Sequence, residues 1–61
     1  MNKVKELRVK KGLTIKELSE MVSCGSGTIH RIESDDRKPN VYLALKIAKA
    51  FGVQVEDVFS E

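Results

Sequence analysis

The 61-residue sequence predicts an all-α domain of five short helices. Three observations point there. Apolar residues recur at helical spacing along nearly the whole chain, and no strand-like alternation is sustained. Residues that favour helix starts (Asn2, Thr14, Asn40) precede the periodic segments. Residues that stop helices (Gly12, Pro39, Gly52) stand between them.

Asn2 is placed to cap a first helix in which Val4 and Leu7 face inward, ending near Lys11 with Gly12 at its stop. Thr14 opens a second helix, and Glu17 three residues on completes a capping box, with Leu18 and Val22 as the buried stripe. A third helix is expected from Ser26 to Ser34, burying Ile29 and Ile32. The polar loop DDRKP follows, and Pro39 keeps the third helix from running on. Asn40 caps the fourth and most apolar helix, VYLALKIAKAF, with Val41, Ala44, Leu45, Ile47, Ala48 and Phe51 expected on a broad inward face. Gly52 ends it. The tail VQVEDVF reads as a fifth helix, and its Val55, Val58 and Phe59 exceed what so small a core requires.

Length and composition bound the rest. A chain this short forms one domain, residues 1–61, and buries only about 60% of its unfolded surface, so a partner helps its stability. Hydrophobic content of 41% with 33% charged residues is that of a globular protein. No apolar run approaches the roughly 20 residues that span a bilayer, and the N-terminus lacks a signal peptide's apolar centre. A soluble, cytoplasmic domain is the expectation. Cys24 is the single cysteine; it reads as a small apolar residue packed under a turn rather than as a redox thiol. One Cys and one His cannot complete a four-ligand zinc site. No cofactor is expected. The net charge of +2 is unevenly spread: Lys3, Lys5, Arg8, Lys10, Lys11 and Lys16 crowd the first segment, Glu17 to Asp36 is acidic, and Arg37, Lys38, Lys46 and Lys49 restore positive charge. Basic segments around an acidic middle suit phosphate contacts, although a solvated surface is the commoner meaning of such runs.

Two short helices, TIKELSEMV and GSGTIHRIE, joined through SCG are the elements of a helix-turn-helix. Any small helical bundle contains such a pair, so the pattern alone supports DNA binding weakly. The run KELRVKKGLT, then KELSEMV, TIHRIE, RKP, and LKIAKAFGV with EDVF, in this order and spacing, resembles the Cro and lambda-repressor-type helix-turn-helix family over nearly the whole chain. The resemblance implies a five-helix, lambda-repressor-like DNA-binding fold whose second helix lies across the DNA backbone and whose third enters the major groove by its N-terminal end. By position, it implies base-reading roles for Ser26, Gly27 and Arg31. Thr28 and His30 fall at neighbouring contacts, and Lys16 lies at the start of the second helix. Arg37, Lys38 and Asn40 fall around the start of the fourth helix, which often touches the backbone. Arg8 and Glu33 match a structural ion pair of the family. For His30 a phosphate contact and a plain exposed role remain open; Tyr42 is expected to pack rather than to bind phosphate.

The sequence departs from the family where reading is concerned. Ile15 stands where a phosphate-binding Gln is usual, and Ser23 and Asp35 replace turn glycines. Gly25 replaces a capping Ser or Thr, at a cost of only a few tenths of a kcal/mol. Gly27 inside the first turn costs roughly 0.8–1 kcal/mol of helix propensity against alanine. Asp35 and Asp36 repel DNA if they face it. Two explanations of the small residues stand open. In one, the helix sits unusually deep and its amides approach phosphates or base edges closely, with specificity left to Arg31, Thr28, His30 and DNA shape; a bidentate Arg31–guanine contact discriminates by about 1–3 kcal/mol. In the other, the face has lost its reading role and binds a protein.

The expected function is sequence-specific duplex-DNA binding as a small transcriptional regulator. A repressor is expected, since so small a domain has no room for an effector region and EDVFSE reads as a natural end. One copy reads few base pairs, so a homodimer on a palindromic operator with half-sites roughly 34 Å apart is the economical arrangement. Val53, Val55, Val58 and Phe59 are the candidate seam; closing the monomer's own core is their alternative role. The alternative function is an antitoxin-like or anti-repressor-like protein-interaction module. An enzyme has little support: no nucleophile stands beside a base, and GSG lacks the rest of a phosphate-binding loop.

Overall fold

The apolar spacing delivers five helices among residues 2–59, which the computed structural model describes: α1 (Val4–Lys10), α2 (Ile15–Met21), α3 (Ser26–Glu33), α4 (Val41–Phe51) and α5 (Val55–Phe59). Met1, Ser60 and Glu61, the ends of the expected single domain, lie outside the described residues. The core is formed by Val4, Leu18, Val22, Ile29, Ile32, Ile47, Ala48, Phe51 and Val58. Each helix contributes to it, and α1 packs on α3, α4 and α5 at once. Helices of this length are marginal alone; burial of these side chains, at about 1.5–3 kcal/mol each before entropy, is what makes them form.

Local signals set the starts of α2 and α4. The Thr14 hydroxyl accepts from the Glu17 N–H at 3.0 Å, and the Glu17 carboxylate accepts from the Thr14 N–H at 2.8 Å. Asn40 accepts from the Leu43 N–H at 2.8 Å. The start of α1 differs in detail from expectation. Lys3 holds the cap position, and Asn2 acts from one residue earlier, its Oδ1 accepting from the Val4 N–H at 3.0 Å.

Four helices end in one way: the residue after the last turn is left-handed, and two backbone N–H groups reach back to the helix carbonyls. Leu13 donates to Arg8 and Gly12 to Val9; Cys24 to Ser19 and Ser23 to Glu20; Asp36 to Arg31 and Asp35 to Ile32; Val53 to Ala48 and Gly52 to Lys49. Gly12 and Gly52 occupy the left-handed position in two of them, at φ 71° and 70°. In the other two it is taken by Ser23, at φ 56°, and Asp35, at φ 63°. The family's usual glycines are gone, but the backbone shape they serve is kept.

The broad inward face expected of α4 is narrower. Ile47, Ala48 and Phe51 are buried, with half-buried Leu43 and Ala44 beside them. Val41 is 72% exposed and Leu45 is 52% exposed. Leu45 lies two residues from Ile47, about 200° around the helix, so both cannot face one core. Tyr42, expected to pack, is 78% exposed. Val58, placed in the candidate dimer seam, is fully buried in the monomer, while Val53, Val55 and Phe59 are half-buried.

Candidate nucleic-acid interface

The helix pair α2 and α3 packs closely through Leu18, Val22, Ile29 and Ile32. The connection turns sharply at left-handed Ser23, and Cys24 then tucks partly under it, packed against the core. Burial raises the Cys24 thiol pKa, a shift partly offset by the charges of Lys46 and Arg37. The thiol therefore stays protonated near neutral pH and serves as packing. Lys46, which the sequence reading places in a basic run but gives no site role, joins Arg37 in the field around this turn.

Gly25 opens α3 in extended conformation, at φ −74° and ψ 149°, with no side chain to cap it. Among the described residues, nothing accepts from the Ser26 and Gly27 N–H groups, and the first turn carries no acid. Unpaired amides and an unopposed helix dipole favour an anion at this end. Nothing lies within 4 Å of where a Cβ would stand on Gly27. The glycine is thus required neither by φ nor by packing inside the monomer.

Ser26, Gly27, His30 and Arg31 are all exposed and share one stripe of α3, opposite buried Ile29 and Ile32. Thr28 is half-buried and lies off that stripe, beside Gly25. Lys16 is exposed on the first turn of α2; Arg37, Lys38 and Asn40 are exposed around the start of α4. The Asn40 side-chain oxygen is committed to its cap, which leaves its NH2 group to donate outward. Ile15 packs against the core, so its place on α2 serves stability.

The far end of α3 is fixed from α1. Arg8 Nε donates to Glu33 Oε2 at 2.6 Å and its Nη2 to Oε1 at 3.4 Å, while Nη1 donates to the Leu13 carbonyl at 2.8 Å. The two side chains are only 11% and 7% exposed. This is the ion pair that the resemblance implies, and it removes both groups from any contact outside the chain. The aspartates after α3 are also engaged: Asp35 Oδ1 accepts from the Asn2 amide at 2.9 Å, and Asp36 Oδ2 lies 3.0 Å from the Ser34 hydroxyl. Among the described residues no cluster of three or more His, Cys, Asp or Glu is placed to hold a metal, and no helix is long and apolar enough to cross a membrane.

Comparison with known proteins bears on this arrangement directly. A helix-turn-helix family model matches residues 4–58. The chain is 48% identical over 58 residues to an uncharacterized HTH-type transcriptional regulator of Bacillus subtilis, YgzD, covering 95% of this chain and 88% of that protein. It is 41% identical over 58 residues to an uncharacterized HTH-type transcriptional regulator of Methanocaldococcus jannaschii, with the same coverage of 95% and 88%. A third such regulator, from Archaeoglobus fulgidus, is 37% identical over 57 residues, covering 93% of this chain and 81% of that protein. The match spans all five helices, and the chain belongs to the helix-turn-helix family.

Proposed function

We propose that the domain is a cytoplasmic, sequence-specific duplex-DNA-binding transcriptional regulator that reads the major groove with α3. The observation that carries the proposal is the amino end of α3: uncapped amides and a stripe of Ser26, Gly27, His30 and Arg31 open to the outside, with exposed Lys16 on the first turn of α2 and exposed Arg37 and Lys38 before α4. The names of the relatives point the same way. Arg31 is assigned the guanine contact, and Ser26 and the Gly27 amide a close approach to phosphate or base edge. Lys16, Arg37, Lys38 and the Asn40 amide hold the backbone, and His30 adds a neighbouring contact. Thr28, half-buried and off the stripe, is left out of the base contacts. A domain seated in the groove acts by occupancy, so repression is the regulatory sense proposed.

Binding is proposed to be by a homodimer on a palindromic operator. Leu45, Ala48, Val53 and Val55 line one shallow, largely apolar groove between α4 and α5. Leu45, freed from the core, thereby joins Val53, Val55 and Phe59 as the proposed seam.

The reading is tested by selection from a random duplex library, followed by titration of the selected duplex and a scrambled control. A palindromic consensus that weakens in Arg31→Ala is expected. Three cations, Lys16, Arg37 and Lys38, each neutralising one phosphate give a log–log salt slope of about −2.7 per protomer. Equal binding of selected and scrambled duplex overturns the proposal. It would favour a protein-interaction module, the reading to which Ile15 in place of a phosphate donor and exposed Val41 and Tyr42 lend support.

A further inference from the structure

The geometry points to Asn2 as a positioning residue that sets the end of α3 and the Arg37–Lys38 loop behind it. Both hydrogens of its amide are used: Nδ2 donates to the Ile32 carbonyl at 2.7 Å and to Asp35 Oδ1 at 2.9 Å. Its oxygen accepts from the Val4 N–H at 3.0 Å. The next residue is tied as well, the Lys3 N–H donating to the Val58 carbonyl of α5 at 2.8 Å. The amide is therefore held from α1 and α5 and aimed at the one turn from which the basic loop departs.

That turn is built from polar contacts, with no buried side chain in the loop to anchor it. Asp35 is left-handed at φ 63°, a conformation that carries a steric cost for any residue with a side chain. The N–H groups of Asp36 and Arg37 both donate to the Arg31 carbonyl, at 2.9 and 3.3 Å. From Ser34 to Asn40 no residue is buried, and Pro39 alone is half-buried. A loop without an apolar anchor keeps its shape through its polar contacts, and Asn2 supplies one of them, to Asp35 from 33 residues away, beside a second to the Ile32 carbonyl at the end of α3. The same contact draws the Asp35 carboxylate toward α1. Asn2 touches no ligand; it acts by fixing where Arg37 and Lys38 stand relative to the stripe on α3. Its bearing on affinity rests on the DNA-binding reading above; its bearing on the loop does not.

Asn2→Asp isolates the effect. It is isosteric and keeps the oxygen for Val4, so the start of α1 is preserved. It lacks the donor and sets a second carboxylate against Asp35. The first readout is backbone 15N relaxation of the free domain. Order parameters at Asp36, Arg37 and Lys38 are expected to fall from about 0.85 toward 0.6 or below, while Ile47 in α4 is unchanged. Asn2→Gln, which keeps the amide on a longer arm, should recover part of the order. The second readout is the selected duplex: affinity is expected to fall about tenfold and the salt slope to shrink by about one to two, as two cations lose their fixed places. Unchanged order at Asp36 to Lys38 overturns the inference. So does loss of order that extends equally to α4, which signals general destabilisation. A loosened loop with unchanged affinity and slope refutes the role in binding. If the wild-type domain binds no duplex selectively, the proposed function fails, and selective loosening still upholds the positioning of the loop.

Discussion

Gly27→Ala separates the two accounts of the small residues that open α3. Gly27 is exposed, its φ is not left-handed, and an added Cβ meets nothing within 4 Å. The substitution therefore creates no clash and no strain, and it restricts the unfolded chain. The expected gain is about 0.5–1 kcal/mol, the propensity difference between glycine and alanine, toward the lower end because the site lies in the first turn. For a domain of this size 1 kcal/mol moves Tm by about 4–8 °C, so a rise of about 2–8 °C in a far-UV circular dichroism melt is expected. The new methyl projects from the stripe that also carries Ser26, His30 and Arg31. If α3 binds by close backbone approach, the methyl holds the amides off, and affinity for the selected duplex, read by fluorescence anisotropy, falls tenfold or more. Stability and affinity then move in opposite directions, which a simple folding defect cannot produce. A higher Tm with unchanged affinity refutes the close-approach account. A lower Tm refutes the claim that the monomer has no use for this glycine.

Three further outcomes follow from the same geometry. Ser23→Gly relieves a left-handed side-chain-bearing residue at φ 56° and should stabilise the fold by about 1 kcal/mol in urea titration; no gain would show that the Ser23 side chain offsets the strain. Arg8→Ala leaves Glu33 without its partner in a nearly closed site and should cost about 3 kcal/mol, most of the stability of so small a domain; Arg8→Met with Glu33→Leu should recover most of it, and equal loss in the double variant would refute the uncompensated-charge reasoning. Glu17 titrates below its ordinary value of 4.5 because its carboxylate accepts from the Thr14 N–H and lies beside the Thr14 hydroxyl. A depressed carboxylate adds stability that is present above its unfolded pKa and is lost as pH falls through the folded one. NMR titration should therefore place Glu17 below 4.5 in the wild type and nearer that value after Thr14→Ala, which keeps the backbone donor but removes the hydroxyl; an unchanged Glu17 titration would remove the hydroxyl's part in the shift.

What was legible in the sequence was local or periodic. Thr14 with Glu17, and Asn40 before VYL, announce their helices within three residues, and the structure pairs them as expected. The order of the motifs carried the family and the Arg8–Glu33 pair with it. The sequence misleads where an apolar residue is not an inward one. Leu45 and Val41 satisfy a loose helical period yet stand well round the axis from Ile47, and Tyr42 beside them is open. For Val58 the sequence leaves a dimer seam and closure of the monomer's own core both open, and its side chain is buried in that core. The bonds of Asn2 to Ile32 and Asp35 were invisible for a different reason: they join residues 30 and 33 apart, and no local pattern marks them.

The same division explains how α3 is built. By its own sequence it is a poor helix: glycine at its cap, glycine in its first turn, no capping side chain, and non-glycine residues in the left-handed turns on either side. Each of these weakens the isolated segment. Its stability comes from outside, through Ile29 and Ile32 in the core, Arg8 on Glu33, and Asn2 on the Ile32 carbonyl. Every one of those contacts lies on the inner face or at the C-terminal end. The exposed stripe at the amino end therefore contributes little to folding. That is the condition under which a helix can keep a glycine cap and a glycine in its opening turn: the fold tolerates both because its stability is secured elsewhere.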